Sequence, residues 1–94
     1  MFTYVGLIRL TELGREKLHE GPKYLEKIRT IVEEEGGALE DVWAVMGPYD
    51  FFALFKYPDN ETAFRVLAKI GKLEVVETET FPAEKVETFF EALV

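Results

Sequence analysis

The spacing of apolar and polar positions changes period several times along this 94-residue chain, and each change marks an element. Phe2 to Leu10 (FTYVGLIRL) is aromatic, aliphatic and β-branched with no Pro or Asp, which predicts a first strand. Thr11 to Arg15 leaves that strand, and a short turn of helix over Glu16 to His19 is expected before Gly21-Pro22 interrupts it. From Pro22 to Glu35 the apolar positions Tyr24, Leu25, Ile28, Ile31 and Val32 recur at helical spacing. Lys23, Glu26, Lys27, Arg29 and Glu33 fill the opposite side. Pro22 suits a first helical turn and Gly36-Gly37 supplies the stop.

Two further apolar runs, Leu39–Met46 and Phe51–Tyr57, flank Gly47-Pro48-Tyr49-Asp50. Gly and Pro do not continue a strand interior, so this arrangement predicts a β-hairpin with a four-residue connection. Pro58-Asp59-Asn60-Glu61 opens a second helix with Asp59 or Asn60 as N-cap. Ala63, Phe64, Val66, Leu67 and Ile70 form its buried stripe, and Gly71 ends it. Leu73 to Phe81 is the last strand, stopped by Pro82. Ala83 to Leu93 then forms a short amphipathic tail helix with Val86, Phe89, Phe90 and Leu93 on one side. The order β-α-β-β-α-β predicts an α+β fold of ferredoxin-like type, one domain over residues 1–94 with both long helices on one face of a four-stranded antiparallel sheet.

A sheet with helices on one face only turns polar on its other face if that face meets water. These strands do not alternate that way. Thr3, Val5 and Leu7 oppose Tyr4, Gly6 and Ile8; Phe52, Leu54 and Lys56 oppose Phe51, Ala53, Phe55 and Tyr57; Trp43 and Val45 oppose Val42, Ala44 and Met46. Both faces are largely apolar, so a second copy stacking sheet on sheet is expected, with the tail helix folding back over the face as the alternative.

Composition removes several functions. Without cysteine there is no disulfide, thiolate nucleophile or thiolate metal site, and without serine no serine triad. One histidine cannot build a histidine-rich metal centre, so no metal and no cofactor are expected. A formal charge of −7 with no basic face argues against nucleic acid as a partner. No leader and no apolar run long enough to cross a bilayer are evident, which predicts a cytoplasmic protein without a membrane partner. Abundant Glu, a single Asn and no Gln resemble the composition of heat-adapted proteins.

The candidate chemistry is sparse. Asp50 follows a tight turn, where it either takes a ligand or accepts backbone N–H groups of its own turn. Tyr49 reaches toward a pocket or covers the sheet end. Arg9, with Glu12 and Arg15 near in sequence, offers a small-carboxylate site or an ion pair. His19 is a possible general base, placed beside a Gly-Pro break where a surface position is expected. Trp43 and the nearby phenylalanines line an aromatic pocket or belong to the core. Glu33-Glu34-Glu35 lies at the negative end of a helix dipole, as a cation site or a solvated acidic face.

Thr3-Tyr4-Val5, Leu7-Ile8-Arg9-Leu10-Thr11 with Gly14, Gly36-Gly37, the Gly47-Pro48-Tyr49-Asp50 turn, Pro58-Asp59 and Thr78-Glu79-Thr80 together resemble the GYD-domain proteins from Phe2 to Phe81. Pro48 departs from a bare Gly-Tyr-Asp at a variable position. The resemblance implies a ferredoxin-like protein of the dimeric α/β-barrel group, a homodimer or higher oligomer. The turn is also similar to the Gly-x-Tyr-Asp segment of the Lrp/AsnC effector domain, which implies Arg9, Gly47, Tyr49 and Asp50 as the place to look for a small amino-acid or organic-acid ligand. A binding or assembly module is the expected function. A cofactor-free monooxygenase or isomerase is the alternative, and it requires a buried pocket that joins His19, Tyr49 or Arg9.

Overall fold

A computed structural model describes residues 1–94. Strands β1 (Phe2–Leu10), β2 (Ala38–Ala44), β3 (Phe51–Tyr57) and β4 (Val76–Ala83) form one antiparallel sheet in the order β2-β3-β1-β4. Helices α2 (Gly21–Glu34) and α3 (Asn60–Gly71) pack on one face of it. This is the ferredoxin-like arrangement.

The core lies between that face and the two helices. Tyr4, Ala53, Phe55, Tyr57 and Leu39 from the sheet meet Val32 of α2 and Ala63, Val66 and Ile70 of α3. Pairing sets these side chains in rows, since Tyr4 opposes Phe55 and Phe55 opposes Leu39. A bulge at Glu40, between the Leu39–Phe55 and Asp41–Leu54 pairs, brings Val42 back to the core side opposite Ala53. Asp59 caps α3, its carboxylate accepting the Thr62 N–H at 2.8 Å, and Asn60 instead accepts the Tyr4 hydroxyl. Gly36, at φ +89°, ends α2, and the Gly37 N–H reaches back to the Val32 carbonyl at 2.9 Å.

Several boundaries differ from those expected along the chain. The first connection holds α1 (Glu12–Glu16) and a 3-10 turn over Leu18–Glu20, and Gly21-Pro22 opens α2 directly rather than breaking a helix. Thr11 drives this by capping α1, its hydroxyl accepting the Gly14 N–H at 3.0 Å. There is no room for a side chain at Gly14, whose Cβ would fall 2.0 Å from the Val75 carbonyl oxygen. Strand β2 stops at Ala44, so the hairpin connection is six residues, Val45–Asp50, rather than four. Gly47 has φ +114° in that loop.

Strand β4 begins at Val76, not Leu73, because residues 71–74 form a turn with Glu74 at φ 63°. It then runs through Pro82, which does not stop it. As the sheet's edge strand, β4 needs no donor from Pro82 on its free side. Phe64 is 71% exposed and not part of the buried stripe; Thr62, Ala63, Val66 and Ile70 fill that role, and Phe64 falls on the flank. The tail helix α4 spans only Val86–Glu91, and Val86, Phe89, Phe90 and Leu93 are all more than half exposed. It does not bury its apolar side on the sheet.

Candidate functional site

The open sheet face carries two apolar rows. Trp43, Phe52 and Leu7 form one across β2, β3 and β1; Leu54, Val5 and Phe81 form the other across β3, β1 and β4. Trp43 packs on Phe52 with ring centroids 5.6 Å apart, yet Trp43 and Phe81 are each 47% exposed. Trp43 is therefore neither core nor the wall of a closed aromatic pocket.

At the hairpin end of this face the four candidate residues converge. Asp50 is held from both sides: its N–H donates to the Ile8 carbonyl at 2.8 Å, and its carboxylate accepts the Leu10 N–H at 2.8 Å. It thus ties the turn to the end of β1 and does not cap its own turn. The Arg9 guanidinium donates to the Pro48 carbonyl at 2.9 Å, lies 4.4 Å from the Tyr49 ring centroid and pairs with Glu79 at 3.4 Å. Cation–π stacking and a charge-assisted contact to a carbonyl together fix the loop more firmly than the exposed ion pair alone. The Glu79 carboxylate, and then desolvation, hold the Tyr49 hydroxyl above its usual pKa of 10.0, which keeps it a neutral donor. Gly47 supplies the left-handed turn that lets Pro48 and Tyr49 fold over Arg9.

Three partners in this cluster are not among the residues expected from sequence, Glu79, the Leu10 N–H and the Ile8 carbonyl. Glu12 and Arg15 are near Arg9 along the chain, but its partners lie 39 and 70 residues away. The alternation of Glu77 and Glu79 in the last strand is the available signal. Their register against Arg9 depends on where β4 begins, which is decided by the turn before it.

His19 has a side chain 76% exposed beside Glu20, remote from this cluster. Of the Glu33-Glu34-Glu35 run, Glu35 is neither a cation site nor solvated. It takes Lys69 at 2.5 Å and Arg65 at 3.2 Å from α3. No group of three or more metal-ligating side chains occurs, and no helix is long and apolar enough to cross a membrane. On the other side of the sheet, a cleft of about 390 Å³ lies between the strands and the α1–α2 segment. None of Arg9, His19, Tyr49 or Asp50 lines it.

A family model described as the GYD domain matches residues 4–93. A Thermus thermophilus protein named glutamine synthetase and cystathionine beta-lyase binding protein is 30% identical over 84 residues, 88% of each chain. A crystal structure of a Thermus thermophilus protein matches with a TM-score of 0.58 at 31% identity, over 90% of this chain and 95% of that one. The feast or famine regulatory protein of M. tuberculosis complexed with L-methionine matches with a TM-score of 0.65 at 18% identity, over 88% of this chain and 50% of that one. That last likeness is one of fold, to the regulator domains of Lrp/AsnC type.

Proposed function

The chain belongs to the GYD domain family, and from that premise we propose that it is a small binding and assembly module that pairs with a second copy through its open sheet face. The uncovered apolar face carries this reading. Its aromatic and aliphatic rows are covered by no element, and Trp43 and Phe81, on the two edge strands, are each 47% exposed. Stacking two such sheets makes the dimeric α/β barrel.

The sole tryptophan reports on this directly. Trp43 becomes buried if the face is covered. Phe81→Glu lies three strands away, roughly 14 Å, so it reaches Trp43 only by separating the copies. The wild type is expected to emit to the blue of the variant and to resist iodide quenching. Identical emission from the two proteins would contradict the proposal.

The relative from Thermus thermophilus is named for binding two enzymes. By that likeness protein partners besides a second copy are proposed here. Surface plasmon resonance against glutamine synthetase and cystathionine beta-lyase of the same host should give saturable binding to at least one, and silence with both would remove this extension. A small acid at Arg9 and Tyr49 has weaker support. Arg9 is already paired with Glu79, which such a ligand must displace, and Asp50 is committed to Leu10. The oxygenase or isomerase alternative gains none, since its required residues share no cavity.

A further inference from the structure

The cleft behind the sheet lies on the face away from the proposed dimer contact, and it is built into the sequence. Its floor is Ile8, Phe51, Ala53 and Phe55, and its roof is Leu18, Leu25 and Ile28. Gly14, Gly21 and Ala53 line it with little or no side chain of their own. The roof residues are not buried by the fold either: Leu18 is 54% exposed and Leu25 36%. The volume of about 390 Å³ is well over twice the ~150 Å³ that accommodates a benzene, and falls in the range of small-molecule sites.

Only two lining side chains are polar beyond the backbone, Tyr24 and Lys17. Lys17 lies 3.6 Å from Glu20, but that one carboxylate also meets Lys23 at 3.9 Å and His19 at 3.8 Å. Lys17 is the one charged side chain that lines the cleft, and the carboxylate it meets is shared with Lys23. An anionic head group is therefore favoured at Lys17 over any other point of the lining. We infer that this cleft binds a small amphiphilic carboxylate, with its apolar body on Ile8, Phe55 and Ile28 and its carboxylate at Lys17.

Octanoate is a suitable probe, with octanol as its uncharged counterpart. Titration calorimetry should give one octanoate per chain, bound more tightly than octanol. Lys17→Met should erase that preference. In methyl NMR spectra the shifts should fall on Ile8, Leu18, Leu25 and Ile28 and spare Val5, Leu7 and Leu54 on the opposite face. Ile28→Trp should weaken binding by about tenfold or more, and Trp43→Ala should leave it unchanged. Should Ile28→Trp fail to fold, Gly21→Leu replaces it, because a Cβ there meets nothing within 4 Å. Absence of saturable binding overturns the inference, as do shifts on the Val5–Leu54 face. Equal affinity for octanoate and octanol overturns the carboxylate assignment. Since the cleft and the open face are on opposite sides of the sheet, failure here leaves the dimer reading standing, and the reverse.

Discussion

Asp50 shows how one carboxylate acts at a distance along the chain. Its acceptor oxygen satisfies the Leu10 N–H at the end of β1, and its own N–H satisfies Ile8, so a turn residue closes the sheet's hairpin end. Replacing it with alanine leaves a partly buried backbone donor without a partner. Asp50→Ala should cost about 2 kcal/mol of folding stability in urea denaturation with the slope unchanged; a loss within about 0.5 kcal/mol would mean that water replaces the carboxylate there. The residue types Arg9, Gly47, Tyr49 and Asp50 are legible as a cluster. Their partners are not, because Glu79 and Leu10 reach them through pairing across separate strands. Local composition carries no information on such register.

Elements are legible wherever their own periodicity decides them. Strands β1 and β3 match their expected spans end to end, and α2 to within a residue, because each has a strong apolar pattern and clear end signals. The tail helix and the start of β4 are less so. Glu74 sits in a left-handed turn that nothing in Leu73–Val76 announces, and Pro82 is tolerated only because β4 is at the edge.

Helix-to-helix contact has its own lock, since Glu35 at the end of α2 binds Lys69 and Arg65 of α3. Hydrogen bonding from Lys69 first, and then from Arg65, holds its carboxyl below the ordinary value of 4.5. A depressed folded pKa gives stability that is present above the unfolded value and lost as pH falls through the folded one. Glu35→Gln should therefore be less stable than wild type at neutral pH, with the gap closing as pH drops below about 4.5. A gap that stays constant with pH would assign the contribution to packing instead.

For the whole molecule, the two faces of one sheet differ in what covers them. One holds the core and, toward its α1–α2 end, the cleft. The other carries aromatic and aliphatic rows that no element covers. That both faces are apolar is visible in the strand alternation. That the tail helix leaves the face bare is not, because an amphipathic helix packs equally well on its own chain or on another.

Pairing of copies through the open face is what sedimentation equilibrium would decide. The wild-type protein should sediment at twice the 10.8 kDa chain mass, and Phe81→Glu at the chain mass itself. A wild-type protein that remains at the single-chain mass at high concentration would mean that the face is not a dimer contact.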